Sequence, residues 1–255
     1  MSHILAAREG PILRVRFNRP DKKNALTADM YAALADALTA ADEDAGVRVV
    51  VIEGNDAGFT AGNDLADFMS NPPSGMDAPV IRFLKAVSRA QKPLVAAVTG
   101  PAVGVGTTML LHCEFVYAAD TAKFALPFVN LGLCPEAGSS YLLPLVAGYR
   151  RAAELLMLGE PFDAPMAQAC GIVTRVLPAA EVLDAALATA RKIAERPAMS
   201  VHMTKMLMKR QLQSTIDSVV SEEAGHFLAL MHSPAAREAF AAFFEKRKPD
   251  FSKVA

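Results

Sequence analysis

Residues 130–141 read NLGLCPEAGSSY and set one carboxylate, Glu136, among small and apolar residues. No other Asp or Glu lies within fifteen positions on either side. A carboxylate placed like this is either a loop side chain facing water or the acid/base of an enclosed site. A second chemical feature is a pair of glycine turns, FTAGNDL at 59–65 and GPAVGVG at 100–106, each preceded by an apolar run. Glycines allow tight strand-to-helix turns, and that alone explains their presence. The same turns can aim backbone N–H groups outward, and two such donors converging on one oxygen form an oxyanion hole.

Other chemistries fit less well. Gly104 and Gly106 begin a G-x-G-x-x-G pattern, but Met109 stands where the third glycine belongs, which argues against a dinucleotide cradle. EAGSSY is not a G-x-S-x-G elbow, so Ser139 and Ser140 are expected at a loop or helix start. No pair among His3, His112, His202, His226 and His232 has the four-residue spacing of a helical metal pair. Cys113, Cys134 and Cys170 form no C-x-x-C motif and leave an odd count, so neither a disulfide framework nor a metal site is expected. Met203, Met206 and Met208 suggest core or subunit packing, or the wall of a flexible acyl pocket.

The elements that must position these groups follow from periodicity. ILRVRF (12–17) alternates as a strand, and Thr27 can cap a helix carrying Met30, Leu34 and Leu38 at four-residue spacing. VRVVVIEG (47–54), KPLVAAVTG and EFVYAA are continuous apolar runs, the pattern of strands buried on both faces of a parallel sheet. A helix is expected near Val80 to Arg89 and another start at Asn63 or Asp64. Residues 150–178 read as helix, glycine stop, short helix and returning strand. Beyond Glu181 the chain is expected to be helical, with separate helices at 181–195 and 199–213 and a last amphipathic stretch from Ser221 to Lys246. The chain is thus expected to be α/β over residues 1–195, followed by a helical region at 196–255.

The 255 residues carry 26 Lys plus Arg against 27 Asp plus Glu, a net charge of −1, so no whole-molecule field favours nucleic acid. No run approaches the length of a membrane span, and the N-terminal stretch lacks the apolar core of a signal peptide. A cytoplasmic protein without nucleic-acid or membrane partners is expected.

Six ordered blocks then bear a resemblance that spans the chain. NRPDKKNAL, FTAGNDL, KPLVAAVTGPAVGVG, AKFALPFVNLGLCPEAGSSY, AAELLMLGEPFDAPMAQACGIVTRVLP and AFFEKRKPDF together resemble the crotonase superfamily, the enoyl-CoA hydratases and isomerases. The resemblance implies a crotonase-like spiral of ββα units with a C-terminal helical trimerisation region, assembled as trimers or dimers of trimers. It implies an acyl-CoA thioester as ligand, with no separate cofactor or metal. The thioester oxygen would be held by the backbone N–H groups of Asn63 and Val105. Lys22, Lys23, Ala61 and Asp64 would lie at the coenzyme A site, Asp64 also serving to cap or orient its turn. Lys248 and Phe251 match a C-terminal segment that approaches the nucleotide, sometimes from a neighbouring subunit.

The places where hydratases of the superfamily carry two glutamates are here Thr108 and Phe128. Glu136, eight residues beyond Phe128, is instead similar to the single base of the peroxisomal-type Δ3,Δ2-enoyl-CoA isomerases. Its apolar neighbours Leu131, Leu133 and Cys134 should raise its pKa. An enoyl-CoA isomerase is the expected activity. Enoyl-CoA hydration, dienoyl isomerisation and a non-catalytic acyl-CoA-binding protein on the same scaffold remain alternatives. The acyl pocket is expected to involve Phe68, Met69, the segment from Val80 to Leu84 and the C-terminal helices.

Overall fold

The computed structural model describes residues 2–254. The chain opens with a hairpin of β1 (Ile4–Glu9) and β2 (Ile12–Phe17), paired antiparallel with Ile4 opposite Phe17. α1 (Ala28–Glu43) follows, and Thr27 caps it by accepting a hydrogen bond from the Met30 N–H, as its position predicts. Its buried residues Met30, Tyr31, Leu34, Ala35, Leu38 and Ala41 form one apolar stripe.

β3 (Val49–Glu53) leads through the first glycine turn into the short α2 (Leu65–Ser70) and then α3 (Pro79–Arg89). β4 (Leu94–Val98), β5 (Pro101–Val103) and α4 (Val105–Thr108) form the second such unit, and α4 continues as a 3-10 turn over Met109–His112. β6 (Phe115–Ala119) and β7 (Lys123–Ala125) form the third, ending in α5 (Ser139–Ala147).

After these come α6 (Tyr149–Leu158), β8 (Phe162–Asp163), α7 (Ala164–Ala169), β9 (Arg175–Leu177) and α8 (Val182–Ala194). The first strands of successive units make one sheet in the order β1-β2-β3-β4-β6-β9, parallel except for β1 against β2. The second strands make a smaller sheet, β5-β7-β8, which single bridges extend at Thr60 with Ala102 and at Leu26 with Asn63. The second and third units thus give one strand to each sheet, the first gives β3 to the large sheet and a single bridge at Thr60 to the small one, and the chain advances by steps of a spiral, the expected architecture. All five residues of both β3 and β4 are buried, which explains their continuous apolar sequence.

The C-terminal region departs from expectation in its divisions. α9 (Ala198–Leu230) is a single helix of 33 residues, where two helices separated by a gap are expected from the sequence. The break falls later: Ser233 accepts from the Ala236 N–H and Pro234 occupies the first turn, starting α10 (Pro234–Phe244). Two buried charged groups fasten α9 to the spiral. One is Lys205, whose Nζ donates to the Lys92 carbonyl at 2.7 Å and pairs with Glu114 at 3.0 Å. The other is Glu223.

Candidate active site

The two glycine turns lie against one another. A Cβ on Gly62, whose φ is +84°, would stand 2.7 Å from the Val103 carbonyl oxygen. A Cβ on Gly106 would stand 2.5 Å from the Thr60 methyl. Both glycines therefore permit an approach that any side chain would block.

The bridge between Leu26 and Asn63 fixes which way the first turn points. Leu26 donates to the Gly62 carbonyl at 2.8 Å and accepts from the Asp64 N–H at 2.9 Å. Neighbouring residues on an extended segment alternate in direction, so the Asn63 N–H faces away from Leu26. Val105 is the first residue of α4, so its N–H has no acceptor within the helix. Both residues line one cavity of about 580 Å³.

Glu136 lines the same cavity and is 6% exposed, so it is no solvated loop residue. The Thr108 hydroxyl donates to its Oε1, while its Oε2 is buried with no partner among the described residues. Burial pushes the Glu136 pKa up to about 8, the Thr108 hydrogen bond pulls it down, and the Glu223 carboxylate raises it further. Leu131 and Leu133 do line the cavity, as expected, whereas Cys134 lies behind the loop in a separate groove with Glu223. Phe128 is a buried wall residue.

The other cavity carboxylate, Asp64, is occupied. It caps α2 by accepting from the Ala66 and Asp67 N–H groups and pairs with Arg19 at 2.7 Å. Those contacts hold its pKa below the ordinary value against the opposing effect of burial. These contacts favour its ionised form and engage both of its oxygens.

Lys22 and Ala61 line the cavity, and Lys23 does not: its side chain is exposed, and its carbonyl accepts from the Ala61 N–H at 3.0 Å. Lys248 and Phe251 are likewise exposed and do not line the cavity within one chain. Phe68, Val80, Ile81 and Leu84 form the apolar wall with Phe227, Phe243 and Phe244 of the C-terminal helices. Met69 is 53% exposed and is not part of that wall. Met203, Met206 and Met208 lie exposed on α9, neither in the core nor in the cavity.

Tyr31 and Glu223 escaped the sequence-based expectations, while His112 is the satisfied core histidine that the sequence favours over a metal ligand. Tyr31 is buried, lines the cavity and donates its hydroxyl to the Asn63 side-chain oxygen, tying α1 to the first turn. His112 is a buried core residue whose Nε2–H donates to the Ala137 carbonyl at 2.7 Å. Burial holds its pKa down to about 3, so the ring is neutral. Glu223 accepts from the Gly138 N–H at 2.6 Å and from the Ser140 N–H at 2.9 Å. Neither Tyr31 nor Glu223 carries a local signal, because each meets its partner only across the folded spiral. Among the described residues no three His, Cys, Asp or Glu side chains are gathered as a metal ion would require, and no helix is long and apolar enough to cross a membrane.

Two N–H groups that have no backbone acceptor among the described residues, and a carboxyl of raised pKa, line one apolar cavity, and together such groups can stabilise an enolate oxygen and shuttle a proton at the adjacent carbon. The sequence profile of enoyl-CoA hydratase/isomerase matches residues 7–254. The chain belongs to the enoyl-CoA hydratase/isomerase family.

Within that family, the chain is 37% identical to rat (Rattus norvegicus) enoyl-CoA delta isomerase 2, over 96% of this chain and 64% of that protein. It is 33% identical to a probable enoyl-CoA hydratase of Rhizobium meliloti (strain 1021), over 97% of each. The crystal structure of an enoyl-CoA hydratase/isomerase from Pseudoalteromonas atlantica T6c superposes with a TM-score of 0.93 at 42% identity, covering 98% of this chain and all of that one. The chain is accordingly an enzyme of the hydratase/isomerase type with the crotonase fold.

Proposed function

We propose that this enzyme isomerises 3-enoyl-CoA thioesters to trans-2-enoyl-CoA, with Glu136 as its only acid/base. The thioester oxygen would accept hydrogen bonds from the Asn63 and Val105 N–H groups, which lowers the cost of an enolate. Glu136 removes a proton from C2, the negative charge spreads to the thioester oxygen and C4, and the same carboxyl returns the proton at C4. The double bond moves from C3 to C2, no water enters the product, and no cofactor is needed.

The observation that carries this reading is the single usable carboxyl. Asp64 is tied to Arg19 and its helix cap, and Thr108 and Phe128 fill the places where a hydratase is expected to hold its acids. The name of the rat relative agrees with the isomerase, while that of the Rhizobium relative belongs to the hydratase side of the family. Coenzyme A would enter past Lys22 and Ala61 at the cavity mouth. Lys23 would contribute charge from its exposed turn. Lys248 and Phe251 would reach the nucleotide of a neighbouring subunit in a homotrimer or dimer of trimers, working in the cytoplasm.

The test is conversion of a 3-enoyl-CoA to the conjugated thioester, followed by its absorbance. Turnover is expected for the wild type and is expected to fall at least a thousandfold in Glu136→Gln, with acyl-CoA binding retained. Hydration of trans-2-enoyl-CoA that rivals isomerisation, or an undiminished Glu136→Gln, would overturn the assignment.

A further inference from the structure

The stretch that carries Glu136 has an improbable backbone held from outside. Ala137 and Gly138 are consecutive residues with positive φ, +61° and +73°, the first of them with a side chain that disfavours this conformation. α5 starts directly after them, and its capping residue, Gly138, has no side chain with which to satisfy the first N–H groups. Glu223 supplies what is missing from 85 residues away in sequence, one carboxylate oxygen to Gly138 and the other to Ser140. On the opposite side the His112 ring holds the Ala137 carbonyl. Glu223 faces the groove behind the loop and does not line the substrate cavity.

From this clamp we propose that Glu223 is the positioning residue for the catalytic base: it fixes the turn after Glu136 and, through it, where the Glu136 carboxyl stands in the cavity. This rests on Glu136 being the base, and gives α9 a direct part in the chemistry. Burial raises the Glu223 pKa above the ordinary carboxylate value, while the N–H donors on both of its oxygens favour the ionised form. The other groups around the pair leave it as the principal nearby charge. Tyr31 is held well above its ordinary pKa, Cys134 is raised to about 11, and His112 is neutral. Lys205 and Lys209 act on His112 from α9, and Glu222 is exposed on the helix surface.

The variant Glu223→Gln keeps the size and one acceptor but removes the charge and presents an amide N–H to a backbone N–H. Loss of a neighbouring negative charge and loosening of the turn both favour the ionised Glu136, so its titration moves to lower pH. The carbonyl band of the protonated Glu136 carboxyl, followed by difference infrared spectroscopy against Glu136→Gln, reads this without any substrate. A downward shift of about one pH unit or more is expected in Glu223→Gln, with kcat reduced about tenfold or more. Glu223→Asp retains the charge but is one methylene too short to hold both N–H groups. It is expected to titrate near the wild type while kcat falls, and it serves where the Gln variant does not fold. Glu222→Gln, which removes a solvent-facing charge, is expected to leave the titration in place.

A Glu223→Gln protein with lowered thermal stability and unmoved Glu136 titration would overturn the proposal, as would a Glu223→Asp protein with full kcat. A shifted titration in a protein that does not turn over 3-enoyl-CoA would instead leave the clamp standing and reject the isomerase activity.

Discussion

Glu136 is a carboxyl placed where it prefers to be neutral. Burial raises its pKa from 4.5 to about 8, and the Thr108 hydroxyl, the one group that favours its charge, does not cancel that effect. A base must be ionised before it can take a proton, so kcat/KM for a 3-enoyl-CoA is expected to rise with pH on a limb centred near 8. A pH–rate profile flat from 6 to 9 would contradict this. The same shift links to stability. Below pH 4.5 folded and unfolded chains both hold the proton and Glu136 carries no penalty. Between 4.5 and about 8 only the folded chain holds it, so stability falls as pH rises and the loss is complete above the folded pKa. At full development the loss is on the order of 5 kcal/mol. Glu136→Gln removes it, so thermal melts are expected to show the variant gaining on the wild type from pH 5 to pH 8 and level thereafter. At this scale the sequence was informative because Glu136 stands alone among apolar neighbours. Thr108, 28 residues away, and Glu223, 85 residues from its partner Gly138, meet the loop only through the fold. No spacing rule reports such contacts.

Elements were legible in proportion to their length and burial. β3 and β4 are wholly buried and announce themselves as continuous apolar runs. β5 and β7 have three residues each and β8 two, too few to show any period, so the second sheet was invisible. β1 buries only Ile4, and its partner β2, not its own pattern, makes it a strand. The gap expected over 214–220 falls inside α9, where Ile216 and Val220 are buried and continue the helix's contact with the core. The glycine turns were the clearest elements of all, since their chemistry requires absent side chains. Gly62→Ala would force a Cβ to 2.7 Å from the Val103 oxygen at a φ of +84°. The strain of that conformation, about 1–2 kcal/mol, adds to the clash. Displacing the Asn63 N–H removes one oxyanion donor, which costs about 10²–10³ in kcat. The expected result is a kcat lower by at least about a hundredfold at pH 9 with acyl-CoA binding changed much less. Steady-state kinetics together with equilibrium binding of a saturated acyl-CoA measure the two separately.

A single chain leaves several large apolar side chains exposed on its helices. On α9, Met199, Met203, Met206 and Leu207 are all more than 40% exposed, and Leu145, Tyr149 and Met157 add further apolar exposure on α5 and α6. We expect further copies of the chain to cover these side chains. The net charge of −1 offers little long-range repulsion against self-association. Such coverage would also account for Lys248 and Phe251, which by resemblance match a nucleotide-approaching segment yet do not line the cavity of their own subunit. With the trimer or dimer of trimers that the resemblance implies, light scattering coupled to size exclusion is expected to give three or six times the chain mass of 27.1 kDa. Replacing Met203 and Leu207 together by Glu places two charges on the exposed face of α9 and is expected to lower that mass while leaving the fold of the spiral intact by circular dichroism. If neighbouring subunits complete the nucleotide site, the dissociated variant also loses acyl-CoA affinity, and Lys248→Ala in the intact assembly weakens binding without altering kcat. A fully active species of 27.1 kDa would rule out both the assembly and the shared site.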